Sequence, residues 1–162
     1  MTTIPGSKIE PEAEAEGELA GASAGTAGSD RAIEPLLDAI RTELPGVRLL
    51  TEEGDRESYR LDETAYLTAG LPGAVALPST TAEVSGLLRL ASAHGVPVVP
   101  RGAGTGLSGG AAGIEGALTV ALTRMDRVLE IDRDNLCVVT QPGVVNAALK
   151  AAVAEEGLFY PP

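Results

Sequence analysis

The run Val96-Pro-Val-Val-Pro-Arg-Gly-Ala-Gly-Thr-Gly-Leu-Ser-Gly-Gly-Ala111 decides how this chain is read. A short apolar, β-rich stretch opens into a loop with five glycines, one threonine and one serine between Arg101 and Ala111. Such a loop has almost no side chain to bury. Its useful chemistry is its backbone. Glycine accepts positive φ and lets a ligand come close, so successive N–H groups can converge on an anion. A phosphate or pyrophosphate is the natural guest.

Three phosphate-binding patterns compete for this loop. The P-loop needs Gly-x-x-x-x-Gly-Lys-Ser/Thr, and no lysine lies in or just after the loop. The Rossmann pattern is formally present as Gly104-x-Gly106-x-x-Gly109, but it requires a helix to follow. Gly110, Gly113 and Gly116 leave no credible helix before the apolar run Ala117-Leu-Thr-Val-Ala-Leu122. The third pattern fits the order of elements: a loop between two strands that holds a dinucleotide with backbone amides alone. A helix over residues 106–110 would favour the nicotinamide-binding Rossmann alternative, and a strand at Leu118–Leu122 directly after the loop would refute it.

Pro100 to Ala111 resembles the flavin loop of FAD-linked oxidases of the vanillyl-alcohol oxidase / p-cresol methylhydroxylase (PCMH) group. The glycolate oxidase flavin subunit / D-lactate dehydrogenase branch is the most similar. Tyr59-Arg-Leu-Asp-Glu-Thr64 resembles that family's entry segment. Pro72-Gly-Ala-Val-Ala-Leu-Pro78 with Ser79-Thr-Thr-Ala-Glu-Val84 looks like its first strand and helix. Thr140-Gln-Pro-Gly-Val144 resembles a second flavin-contacting turn, although a plain strand-ending turn explains it nearly as well. The resemblance runs from about Ile33 to the C-terminus, with several motifs in the right order.

It implies an α+β fold: a PCMH-type FAD-binding domain whose N-terminal βαβ subdomain is followed by antiparallel strands. It also implies FAD as cofactor, contacted by Arg101, Gly102, Ala103, Gly104, Thr105 and Gly106, then Gly110 and Ala111, and Gly143 in the second turn. Arg101 has a second option, pairing with a surface carboxylate. Some family members attach FAD through His or Cys in this region. Arg101–Ala111 contains neither, so FAD is expected to be non-covalent. The implied function is oxidation of a small 2-hydroxy acid, glycolate or D-lactate, by hydride transfer to the flavin. The family continues beyond the length seen here, so residues 31–162 are expected to be the N-terminal part of the domain. The catalytic base stays unassigned, and other subunits of an oxidase complex are possible partners. A non-catalytic remnant, or a subunit needing a partner chain, is the alternative.

Composition narrows the classes. The chain has 162 residues, one domain's worth, with 44% hydrophobic and only 2% aromatic residues. Its core must therefore be Val, Leu, Ile and Ala. A net charge of -11 argues against nucleic acid and against docking on anionic membranes. There is no membrane-span-length apolar run and no secretory signal pattern, so a cytoplasmic location is the default. The lone Cys137, in the strand-like Leu136-Cys-Val-Val139, reads as a buried structural thiol. The lone His94 reads as a helix-end group, and a single His without a second ligand is no metal site.

Local signals place the elements. Residues 1–30 are acidic and then Gly/Ala/Ser-rich, and read as a disordered tail. Ile33, Leu36, Leu37, Ile40 and Leu44 have helical spacing, closed by Pro45-Gly46. Ala74–Leu77 reads as a buried strand. Thr80-x-x-Glu83 is a capping box for a helix with Val84, Leu87, Leu88 and Ala91 on its apolar face, ended by Gly95. Val96–Val99 is the next strand, expected to pair in parallel with the first. Val128–Ile131 and Leu136–Thr140 flank an Asp132–Asn135 turn, a hairpin. A final helix covers about 145–156, with Val145, Leu149, Ala152 and Val153 facing inward. Asp62 and Glu63 are adjacent and make no acid–base pair, and the aromatics Tyr59, Tyr66, Phe159 and Tyr160 are too scattered for a stacking platform.

Overall fold

The computed structural model describes residues 26–64 and 66–161. Helix α1 spans Thr26–Glu43, β1 Arg48–Leu50, α2 Glu53–Glu57, β2 Ala74–Leu77, α3 Thr81–His94 and β3 Val98–Arg101. After the glycine loop come β4 (Leu118–Ala121), a 3-10 turn (Leu122–Arg124), β5 (Val128–Asp132), β6 (Cys137–Thr140) and α4 (Asn146–Glu155). Of the expected tail, residues 1–25 lie outside the described residues, and Thr26–Asp30 belong to α1.

Two sheets form. The first has the order β1-β2-β4-β3, with β1 antiparallel to β2 and the other pairs parallel. The second is the β5–β6 antiparallel hairpin, with α4 against β5. The architecture is α+β. The expected direct pairing of β2 with β3 is corrected: both run parallel to β4, which lies between them. Pro100 supplies the reason. It lacks an N–H, so its strand belongs at an edge, whereas β2 and β4 are wholly buried and carry no proline.

Strand alternation splits the sheet's two faces. Ala74, Ala76, Leu118 and Val120 pack under Ile33, Leu36, Leu37 and Ile40 of α1 and Leu87, Leu90 and Ala91 of α3. An Arg89–Glu43 ion pair at 2.6 Å also ties the two helices. Val75, Leu77 and Ala121 point the other way, against Leu50 and Tyr59. Two details of α3 and α4 differ from expectation. Leu90, not Leu88, completes the buried face of α3, because 87, 90 and 91 follow the i, i+3, i+4 stripe while Leu88 is rotated off it. Val145 is the exposed N-cap of α4, so Leu149 and Val153 carry its buried face.

The local stop signals act as read. The Thr80 hydroxyl accepts the Glu83 N–H, and the Glu83 carboxylate accepts the Thr80 N–H. Gly95 takes φ 66°, a left-handed cap that L-residues adopt at a cost. His94 Nδ1–H donates to the Leu90 carbonyl at 2.9 Å, a helix-end role. Cys137 is a correction: it is exposed, not buried. Strand β6 alternates exposed and half-buried residues, and Cys137 falls on the outward face with Val139.

Candidate functional site

The glycine loop leaves the C-terminal end of β3 and must return to the N-terminal end of parallel β4. It therefore travels the length of the sheet, and its two halves are held differently. The second half is anchored to the segments before β2. Gly109 N–H donates to Thr64 Oγ1 at 2.7 Å, Ala111 N–H to Asp62 Oδ2 at 3.4 Å and Gly113 N–H to the Arg60 carbonyl at 2.8 Å. Gly116 N–H donates to the Leu71 carbonyl, and the Glu115 carboxylate accepts the Leu71 N–H. In the first half, no backbone N–H from Ala103 to Ser108 donates to another described residue, and Gly110 N–H is likewise unengaged. A run of N–H groups unpaired among the described residues is the feature an anion needs.

Arg101 is placed beneath the loop. It is 7% exposed, and its guanidinium donates to the Ala111 carbonyl at 3.0 Å and the Leu61 carbonyl at 2.9 Å. Its Cζ also lies 5.6 Å from the Tyr59 ring centroid, a cation–π contact. Gly104, at φ 82°, sits directly over it, and a β-carbon there would collide with the guanidinium. Two of the Arg101 donors are thus spent on backbone carbonyls, and its charge also acts on the Asp62 carboxylate. Gly102 and Gly110 differ from Gly104: a β-carbon at either meets nothing within 4 Å. Their bareness leaves open space on the loop's outer face.

Two cavities adjoin the loop. One, of about 370 Å³, lies over Gly102–Ser108 with Pro100, Gly110 and Ala111. The other, of about 420 Å³, lies between Ala103 and Thr105 on one side and Pro142–Asn146 on the other, with Thr123 and Asp126. Gly143 is there because of close packing. Its N–H donates to the Met125 carbonyl at 2.8 Å, and a β-carbon would meet that same oxygen at 2.9 Å. Gln141 has a structural bond in the turn. Its Oε1 accepts from the Arg127 backbone N–H at 3.0 Å and holds the turn. No lysine or arginine lines either cavity and Asp126 lines the second, so any attraction for an anion there has to come from backbone N–H groups. No cluster of metal-ligating side chains occurs among the described residues.

Desolvation beside the loop pushes the Asp62 carboxyl up. The Thr64 backbone N–H and hydroxyl, the Ala111 N–H and the Arg101 charge outweigh it and hold Asp62 below the ordinary 3.8. Asp62 is thus an ionised acceptor at neutral pH, fixing the loop by its own hydrogen bonds.

The fold brings together most of the residues singled out in the sequence. Gly102, Ala103, Gly104, Thr105, Gly106, Gly110 and Ala111 surround one cavity, and Ala103, Thr105 and Gly143 meet across the other. Arg101 lines neither. Asp62, Thr64, Thr123 and Asp126 were not singled out as site residues. For the first two a signal existed: Asp62-x-Thr64 is an Asx-type turn, with Thr64 N–H donating to Asp62 Oδ1 at 3.0 Å. The strand β4 follows the loop and no helix forms over residues 106–110, which removes the Rossmann alternative.

Comparison with known proteins agrees with this geometry. The family described as "FAD binding domain" matches residues 72–162. The glycolate oxidase subunit GlcD of Bacillus subtilis (strain 168) is 47% identical over 104 residues, covering 64% of this chain and 22% of that protein. A D-2-hydroxyglutarate dehydrogenase of Xanthomonas citri pv. viticola is 38% identical over 128 residues, covering 79% and 27%. Among solved structures, 4-ethylphenol oxidase from Gulosibacter chungangensis superposes with a TM-score of 0.64 at 27% identity, over 84% of this chain and 26% of that one. p-Cresol methylhydroxylase gives 0.59 at 20% identity over 82% and 25%, a likeness of fold. The chain spans 22% and 27% of the length of the two curated relatives named.

Proposed function

Since the chain belongs to the FAD binding domain family, we propose that its glycine loop holds the pyrophosphate of non-covalently bound FAD. The unpaired N–H groups from Ala103 to Ser108 carry this reading. Ala103, Gly104, Thr105 and Gly106 present their amides to the phosphates. Gly102 and Gly110 give room for close approach, Ala111 closes the far side of the turn, and Gly143 borders the neighbouring cavity. The residues fit a diphosphate bound without basic side chains, since the β-carbons that would fill the cradle are missing at Gly102 and Gly110. Arg101–Ala111 has no His or Cys, and neither His94 nor Cys137 lines these cavities, which favours non-covalent attachment.

Bound FAD supplies a two-electron acceptor. The chain's own part is binding and orientation. The complete enzyme oxidises a small 2-hydroxy acid of the glycolate or D-lactate type, a reading supported by the names of the relatives. The group that takes the hydroxyl proton lies outside the residues named here. A second reading rests on one relative being named as a subunit: the chain works only beside a partner that completes the flavin site.

Titration of the purified chain with FAD, followed by flavin fluorescence and thermal shift, tests the first reading. Saturable binding that disappears in Gly106→Val is the expected result. At Gly106 a β-carbon makes only an ordinary 3.8 Å contact with Asp62, and thermal shift checks that the variant is folded. A folded wild-type chain that takes up no FAD, alone or with a partner, overturns the proposal.

A further inference from the structure

The segment Tyr59–Thr64 and the glycine loop are joined at five points, and Arg101 is the centre of them. Its guanidinium reaches the Leu61 carbonyl on one side and the Ala111 carbonyl on the other, with the Tyr59 ring beside it. Ala111 is held twice, because its N–H donates to Asp62. Gly109 and Gly113 are held by Thr64 and Arg60 of the same segment. Arg101 itself is buried and faces neither cavity. The residue that begins the loop is therefore bonded to the residue ten positions on, which closes the loop into a ring under Gly104.

The geometry points to Arg101 as a positioning residue: with Asp62 it latches the loop onto Tyr59–Thr64 and so holds the unpaired N–H groups of Ala103–Ser108 in one convergent arrangement. This rests on the reading that those amides bind the FAD pyrophosphate. A flexible loop would lose conformational entropy on closing around a ligand, and the latch removes that cost beforehand. Coupling of this kind is reciprocal, so a ligand on the outer face tightens the segment beneath, which it never touches. Arginine suits the task because its planar fork addresses two carbonyls in fixed directions, whereas an ammonium is a single point charge.

The test uses the full chain with variants Arg101→Lys and Asp62→Asn, and FAD as the probe. Amide hydrogen exchange is read first without ligand, well below the melting temperature of each variant. Arg101→Lys should speed exchange at Gly109, Ala111 and Gly113 by about tenfold, leave α1 and α3 protected, and weaken FAD binding by about tenfold. Asp62→Asn should shift both readouts in the same direction by less. In the wild type, FAD should slow exchange at these three amides. A lysine variant with wild-type loop exchange overturns the latch. So does one whose loop is loosened while FAD affinity is unchanged, since a merely structural arginine would behave that way. If Arg101→Lys does not fold, Asp62→Asn decides by the same two readouts. A wild-type chain without FAD affinity defeats the nucleotide reading separately, while the ligand-free exchange still shows whether the latch exists.

Discussion

Alanine at Gly104 and alanine at Gly102 should have opposite consequences, although the two glycines are separated by one residue. At Gly104 the backbone sits at φ 82°, and a β-carbon would lie 2.6 Å from the Arg101 Cζ and closer still to Nη2. The left-handed conformation alone costs an L-residue roughly 1–2 kcal/mol. The guanidinium must also move, and losing one of its two bonds to carbonyls costs roughly 1.5–3 kcal/mol, as for other bonds to charged donors. Gly104→Ala should therefore lose roughly 2.5–5 kcal/mol, a large part of the ~5–15 kcal/mol that holds a typical domain. At Gly102 φ is not in the left-handed region and a β-carbon meets nothing within 4 Å. Gly102→Ala should hold or raise stability, by up to ~1 kcal/mol through the unfolded chain. Gly102 nevertheless lines the cavity over the loop, and FAD affinity should fall by about tenfold or more. Urea unfolding followed by far-UV circular dichroism gives the stabilities, and flavin fluorescence titration gives the affinities. A Gly104→Ala loss below ~1 kcal/mol would mean that Arg101 does not fill the space under the loop. Unchanged FAD affinity in Gly102→Ala would mean that the ligand does not use this face.

The remaining predictions concern the scaffold. Bonds from the Ser79 backbone and hydroxyl and the Thr80 N–H, with Arg124 nearby, outweigh the opposing burial and hold Glu83 below its ordinary 4.5. Its contribution is present above that value and is lost as pH falls through the lower folded pKa. Glu83→Gln should lower the melting temperature at neutral pH, by the equivalent of ~1 kcal/mol, and the gap to wild type should close in acid. A gap that widens on acidification contradicts the capping role. Leu90→Ala should cost about 2–5 kcal/mol in urea unfolding, and exposed Leu88→Ala within about 0.5 kcal/mol. Equal losses would place α3 in a different rotation. Cys137 should react with one equivalent of an aromatic disulfide reagent in the native chain, without denaturant. A reaction that waits for unfolding would return Cys137 to the interior.

Much of the fold was legible because its signals act over a few residues. The capping box needs only Thr80 and Glu83, and the helix end only Gly95. The β5–β6 hairpin was readable from its polar turn, where Asp132 accepts the Asn135 N–H. That the loop offers backbone rather than side chains was readable too, because bare glycines after a strand leave little else. Cys137 was misread because a strand of small apolar residues looks alike on both faces. Which face is covered depends on α4, which arrives later in the chain.

By itself, then, the sequence determined α1, α3, α4, the strands β2 to β6 and the backbone chemistry of the loop, since their signals act over near neighbours, whereas β1 and the short α2 carried no such signal. The tertiary structure alone decided where β4 inserts and what Arg101 and Asp62 do. Pro100 marked an edge strand but could not say which strand would stand inside it. Three of the contacts that hold the loop join residues 40 to 49 positions apart: Arg101 to Leu61, Gly109 to Thr64, and Ala111 to Asp62. No local pattern encodes such pairs. They exist because the sheet's parallel order carries the loop back across the segment that precedes β2, where a buried guanidinium needs carbonyl partners and finds them there.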